Sequence, residues 1–459
     1  MGKKGIIAAL GSVFIALSSG YSPVRAADTE PASSSGGSWV NQIKHPAPWL
    51  TLSADERIRQ EYLPNIYLTN ADPPGQDWDS IRIRTRVGAA VAPSDNFTLN
   101  ARVTWEPRYW FEPHSREGWN PCEALIDTLN AQLKLPDAGL TLTMGRQDII
   151  LGSAWLVLEG TPLDGSRTIY FDAARATLDL KDCKTTVDGI FIYQSAWNDA
   201  WLPPIDGDER KPQIEQDEIG AILYVTNKSI ENTQIDGYFI YKHADKVLAN
   251  GDDADIYAPG ARVIHSFTPN WTGCLEGAYE FGDKNSDNLS AWGLNSRLTY
   301  KFNDDHKNSV WIGYEALSGD DPDTSTNEQF DPLWGRWPQW GEGYVYTYAN
   351  ETRIAETTNL QRINVGWQCE ASKKMTLSAN YHALFAFQNN RTAGFSDDGK
   401  FRGHLITSGV TYKFNQYMSG NLWGELILPG NYYDDSAGRP FDTRRDPAAY
   451  LRWEIMFNF

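Results

Sequence analysis

From Trp49 to the C-terminus the chain alternates apolar and polar positions in short runs, each closed by a turn. A period of two puts successive side chains on opposite faces of a strand, so each run predicts one strand with an apolar face and a wettable one. The run from Ile81 is the cleanest. Ile81, Ile83, Thr85, Val87, Ala89 and Val91 share one parity, and Arg82, Arg84, Arg86 and Gly88 share the other. The next run sets Phe97, Leu99, Ala101, Val103 and Trp105 against Asn100, Arg102, Thr104, Glu106 and Arg108. Soluble sheets alternate too, but large aromatics such as Phe97 and Trp105 end these apolar faces, as in the interfacial girdles of membrane barrels.

About eighteen such runs, an even number as bacterial barrels require, begin near residues 50, 80, 97, 124, 140, 168, 186, 217, 233, 256, 271, 290, 309, 359, 374, 403, 416 and 449. Their connections alternate in length. Short ones fall at 93–96, 136–139, 181–184, 268–270, 303–307 and 371–373, and long ones at 109–121, 197–216, 318–357, 388–401 and 429–448. Short turns at one end and long loops at the other predict an all-β fold, a single closed antiparallel transmembrane β-barrel with short periplasmic turns and long extracellular loops. Closure is a physical demand, because an open sheet edge leaves unpaired backbone groups in hydrocarbon.

The N-terminus reads as a secretory leader over residues 1–26. Lys3 and Lys4 precede an apolar stretch from Ile6 to Leu17, and Val24-Arg25-Ala26 supplies small residues for cleavage after Ala26. That stretch is too short to span a bilayer as a helix, and no later segment reaches the roughly twenty apolar residues needed. Residues 27–48, with the Ser- and Gly-rich stretch Asp28 to Gly37, are expected to form a flexible periplasmic lead-in to a barrel over residues 49–459. The last strand runs Tyr450 to Phe459 with apolar residues at every second position back from Phe459. It is similar to the final-strand signal that the barrel-assembly machinery recognises.

Composition agrees with this picture. Aromatic residues make up 13% of the chain and there are 38 glycines, while mean hydropathy is below zero. Loss of Lys3, Lys4 and Arg25 with the leader takes the net charge from −18 to −21, which argues against nucleic acid as a partner. Much of the acidity lies in expected loops, at Asp252 to Asp255, Asp320 to Asp331 and Tyr433 to Asp435. Cys122, Cys183, Cys274 and Cys369 match no metal motif, and Cys122 and Cys183 belong to opposite ends of the barrel, so free thiols are expected. Seven scattered histidines give no metal cluster, and no cofactor is implied.

If the apolar parity faces lipid, the first strand turns Asp55, Arg57, Arg59 and Glu61 inward, and the next two add Arg82, Arg84, Arg86, Arg102 and Arg108 with Glu106. Further inward candidates are Arg175, Arg262, Arg297, Arg362 and Arg452, interleaved with Glu276, Glu280, Glu315, Glu425 and Glu454. Structural pairing is the default for any one of them. Even so, the second and third strands offer five arginines against one carboxylate, and a positive strip in a low-dielectric wall favours anions. Guanidinium groups also match the planar carboxylates of uronic acids through two parallel hydrogen bonds.

Several blocks resemble the alginate export family of porins. Leu317-Ser318-Gly319-Asp320 followed by Phe330-Asp331-Pro332-Leu333-Trp334 is similar to that family's long-loop signature. So are Gly145-Arg146-Gln147 with Gly152, Arg167 and Phe171-Asp172-Ala173-Ala174-Arg175, and then Gly260-Ala261-Arg262, Glu276 with Phe281-Gly282, and Leu428-Pro429-Gly430. The resemblance implies an eighteen-stranded barrel with an electropositive constriction, and leaves the cargo open. The expected function is an outer-membrane channel for anionic solutes, an acidic polysaccharide or uronate oligomer, with a general diffusion porin as the alternative. Trp334, Trp337 and Trp340 either stack on sugar rings or pack the long loop. Ser378, Asn380 and His382 share a strand parity, but residues two apart lie too far apart for a nucleophile set, so no catalytic residue is expected.

Overall fold

The computed structural model describes residues 38–66, 76–158, 167–168, 170–207, 210–347, 355–389, 399–433 and 447–459. The expected leader, the stretch from Asp28 to Gly37, and Asp434 and Asp435 lie outside them. Ser38–Lys44, in the segment expected to be flexible, forms a short helix, and Lys44 sits over the Phe459 ring at 5.7 Å.

The described chain forms one sheet of twenty-one strands. Three are short: Arg108–Glu112, Gly118–Asn120 and Thr326–Asn327. The remaining eighteen make the wall, and we number them β1 (Leu50–Ile66), β2 (Gln76–Ser94), β3 (Phe97–Trp105), β4 (Leu125–Leu135), β5 (Leu140–Gln147), β6 (Phe171–Leu180), β7 (Thr185–Gln194), β8 (Gln216–Asn227) and β9 (Thr233–Lys246). The second half is β10 (Ala254–Ser266), β11 (Trp271–Lys284), β12 (Asp287–Lys301), β13 (Ser309–Leu317), β14 (Leu360–Ser372), β15 (Met375–Phe385), β16 (Phe401–Lys413), β17 (Met418–Pro429) and β18 (Ala448–Asn458). Each pairs antiparallel with the next, and β18 returns to β1 in the register Asp55↔Asn458 to Tyr62↔Leu451. That last pairing removes the edge, where each unpaired backbone group in lipid would cost several kcal/mol.

Alternation decides which side meets lipid. On β2, Arg82 and Arg84 are buried while Val87 is exposed, and on β14, Arg362 and Asn364 are buried between exposed Ile363 and Val365. The short turns tighten through left-handed residues, Gly139 after β4 (φ 63°) and Lys184 after β6 (φ 48°). One connection at the long-loop end breaks the alternation of lengths. Asn285 and Ser286, both with positive φ, join β11 to β12 as a two-residue hairpin.

The interior departs from the expected polar filling. On β7 to β10, Ile190, Ile192, Ile222, Tyr224, Ile240 and Ile256 are buried on the inner parity, while Phe191, Leu223, Phe239 and Tyr257 face outward. These strands are apolar on both faces because residues 149–158 and 330–345 fold inward and pack a hydrophobic core inside the barrel. All four cysteines are unbridged.

Candidate functional site: the barrel interior

Two structures share the interior, an arginine and carboxylate lattice on one wall and an inward loop that crosses from the opposite side. The lattice is built by β1, β2, β3 and β18, whose inner parities converge when the barrel closes. Glu106 binds Arg57 at 3.0 Å and also Arg82. Glu61 binds Arg59 at 3.1 Å and Arg82 at 3.3 Å, and Glu454 binds Arg59 at 2.7 Å and approaches Arg57 at 3.9 Å. Asp55 is shared by Arg84 at 3.3 Å and Arg86 at 2.8 Å. Arg102 bridges Asp127 at 2.8 Å and Asp148 at 3.2 Å. Arg108 lies over the Trp110 ring at 5.0 Å.

The strip expected from β2 and β3 is therefore largely neutralised. Its carboxylates come from strands read separately in sequence: Asp55 and Glu61 on β1, Glu454 on β18, Asp127 on β4, and Asp148 just past β5. Arg57, Arg59, Arg82 and Arg84 are buried within this network. Arg86, Arg102 and Arg175 keep part of their side chains accessible, at 19%, 18% and 26%. Pairing two guanidinium groups to one carboxylate leaves donors over, and the Nε of Arg84 has no acceptor.

The other predicted residues are dispersed. Arg175 pairs with Asp188 at 2.8 Å on β6 and β7, and Arg262 with Asp236 at 2.5 Å on β10 and β9. Arg362 pairs with Glu315 at 2.8 Å on β14 and β13, and Arg297 lies over Trp311 at 4.0 Å. Glu276 accepts hydrogen bonds from the hydroxyls of Ser153 and Tyr238.

The inward loop is pinned at each step of its crossing. Lys284 holds Asp331 at 2.9 Å, and the Asp331 amide donates to Glu280 at 2.8 Å. Trp334 is buried against Phe171, its indole N–H donates to Glu218 at 2.8 Å, and its amide donates to the Leu156 carbonyl at 3.0 Å. Arg336 makes a two-pronged pair with Glu215 at 2.7 and 3.0 Å. Beyond it, the amides of Glu342 and Gly343 donate to Glu425 at 2.8 and 2.9 Å, and Glu342 meets Arg452 and the Tyr450 hydroxyl. Trp340 is buried beside Arg362 and His382, while Trp337 is half-buried. Trp334 and Trp340 thus pack the loop.

Sequence reading missed Lys284, Arg336, Glu215 and Glu342, and also Lys242, which donates to the Leu333 carbonyl at 3.1 Å; all tie the loop to the wall. One signal was available. Gly220 on the inner parity of β8 leaves the space that the Trp334 indole fills, where any Cβ would collide with the ring.

The family model for alginate export matches residues 49–444. The chain belongs to the alginate export family. Family and fold together make this alginate export barrel a porin-type channel of the outer membrane. Among solved structures, OpdQ of Pseudomonas aeruginosa is 10% identical, with a TM-score of 0.56 over 89% of this chain and 97% of that one. A BenF-like porin from Pseudomonas fluorescens Pf-5 is 11% identical, with a TM-score of 0.56 over 89% and 98%. OccK2 (OpdF) of Pseudomonas aeruginosa, solved in complex with glucuronate, is 9% identical, with a TM-score of 0.54 over 89% and 98%. At these identities the likeness is one of fold. No curated protein sequence matches the chain.

Proposed function

We propose that the alginate export barrel passes anionic solutes of the acidic-sugar class, short uronate oligomers in particular, along the wall of β1 to β3. The observation that carries this reading is the shared carboxylate. Asp55 answers two arginines, Arg84 and Arg86, and Arg86 keeps part of its side chain accessible, as does Arg102. Guanidinium groups that share one partner keep unused N–H donors in a low-dielectric wall, where a passing carboxylate gains two parallel hydrogen bonds. The inward loop narrows the interior, which favours single sugars and short oligomers over a wide polymer. The glucuronate complex of the OccK2 barrel supports the same cargo class by analogy of fold alone.

A second reading has its own support. The lattice places Asp55, Glu61, Glu106, Glu454, Asp127 and Asp148 among its arginines, and a wall so nearly balanced suits a general diffusion porin. Single-channel recording separates the two. Added oligouronates are expected to interrupt the current at concentrations where neutral oligosaccharides of equal length leave it unchanged. Equal interruption by both would favour the diffusion porin.

A further inference from the structure

The wall opposite the lattice encloses a second polar chamber whose charges are matched differently. Strands β11 to β14, the inward loop and the inward segment 149–158 bound a partly open pocket, lined among others by Trp155, Trp311, Trp340, Glu276, Arg297 and Arg362. Arg362 is occupied by Glu315 at 2.8 Å, and the neighbouring Arg262 by Asp236 at 2.5 Å. Arg297 and Glu276 remain, and among the described residues neither makes an ion pair. The Arg297 guanidinium lies over the Trp311 ring at 4.0 Å and its buried Nε meets no acceptor. The carboxylate of Glu276 takes the hydroxyls of Ser153 and Tyr238, and its register partner Arg262 is held by Asp236.

The sheet register makes this separation informative. Arg297 stands opposite Cys274 and Glu276 opposite Asn295, so the two charges are diagonal neighbours with α-carbons roughly 7–8 Å apart. Long side chains at that spacing ordinarily close into an ion pair. Here each is engaged elsewhere, one by an indole and the other by two hydroxyls. Gly366 on the inner parity of β14 supports the arrangement, because a Cβ there would collide with the Trp311 ring. Nearby buried polar atoms also lack partners: Nε1 of Trp311, Oγ1 of Thr299, which is Trp311's register partner, and Oδ1 of Asn380. Buried polar atoms are rarely left so, and a group of them on adjoining strands points to a polar guest.

We infer that this chamber binds a small zwitterion with a carboxylate and an ammonium on a ring-bearing body, the chemistry of an aromatic α-amino acid. The carboxylate takes the Arg297 guanidinium, the ammonium takes Glu276, and the ring lies among Trp155, Trp311 and Trp340. A monocarboxylate would satisfy Arg297 but add a second negative charge beside Glu276, and an amine would fail in the opposite sense. The site stands on the other wall from the arginine lattice and does not depend on anion passage.

Titration calorimetry on the full-length barrel in detergent tests this with phenylalanine, 3-phenylpropionate and phenethylamine. Phenylalanine is expected to bind about tenfold or more tightly than either relative, the scale of one ion pair in a shielded site. Arg297→Gln should remove its advantage over phenethylamine, and Glu276→Gln its advantage over 3-phenylpropionate, with folding checked by heat-modifiable electrophoretic mobility. The ligand series on the unaltered protein decides the matter even if a variant does not fold. Equal binding of phenylalanine and 3-phenylpropionate would make this a plain carboxylate site and overturn the inference, as would no binding by any of the three.

Discussion

Arg57 and Arg82 both lean on Glu106, and the cost of losing that carboxylate measures how the lattice works. Charges buried at this depth are tolerated because each is matched, and removing one partner strands the others. Glu106→Gln is expected to destabilise the folded barrel by about 3–5 kcal/mol, read from urea unfolding in lipid vesicles. A change below about 1 kcal/mol, the value of an exposed pair, would mean that water screens the lattice. Inwardness was legible from sequence parity, since Arg57, Arg59, Arg82 and Arg84 are all buried as alternation requires. Their partners were not. Arg59 and Glu454 are 395 residues apart and meet only because β18 closes on β1. An excess of arginine counted strand by strand thus overstated the free positive charge.

Among the elements, the inward loop is the one whose placement sequence reading left open. Its tryptophans were compatible with packing or with sugar stacking, and the evidence for its direction was spread over β7 to β10. Runs such as Ile190-Phe191-Ile192-Tyr193 lose alternation because one face meets lipid and the other meets the loop's apolar side chains. Trp334→Ala removes the central anchor. By the usual cost of truncating a buried aromatic it should weaken docking of the loop by about 3–5 kcal/mol and raise single-channel conductance, and Gly220→Leu should do the same by evicting the ring. Unchanged conductance in both would show that the loop does not set the width of the pathway. The segment 197–216 is held differently. Glu123 accepts from Lys211 at 2.6 Å and from Arg167 at 3.2 Å. Burial pulls its carboxyl upward, but these cations and hydrogen bonds outweigh burial and hold its pKa below the usual carboxylate value. A depressed folded pKa gives stability that is complete above the unfolded value and is lost as pH falls through the folded one. Protease cleavage within 197–216 should therefore rise as pH drops below about 4.5, and Glu123→Gln should abolish that dependence.

At the scale of the whole molecule the barrel was the most legible feature. Alternation, turn spacing and the even strand count specify closure, and the structure delivers eighteen strands with β18 against β1. The two-residue hairpin at Asn285 and Ser286 escaped because the expected long connection is absent there. The zwitterion chamber was legible only as single inward residues, since Arg297 and Glu276 acquire meaning through what they fail to pair with. The central claim, an anion-preferring pathway along the arginine wall, is tested most directly by the reversal potential of the purified barrel in a planar bilayer under a salt gradient. The measurement should be repeated with Arg86→Ser and Arg102→Ser combined, the two partly accessible arginines of the strip, with folding checked by heat-modifiable electrophoretic mobility because buried Asp127 loses its cation. An anion-selective potential that collapses toward zero or turns cation-selective in the double variant is the predicted result, and a cation-selective potential in the unaltered protein would contradict it.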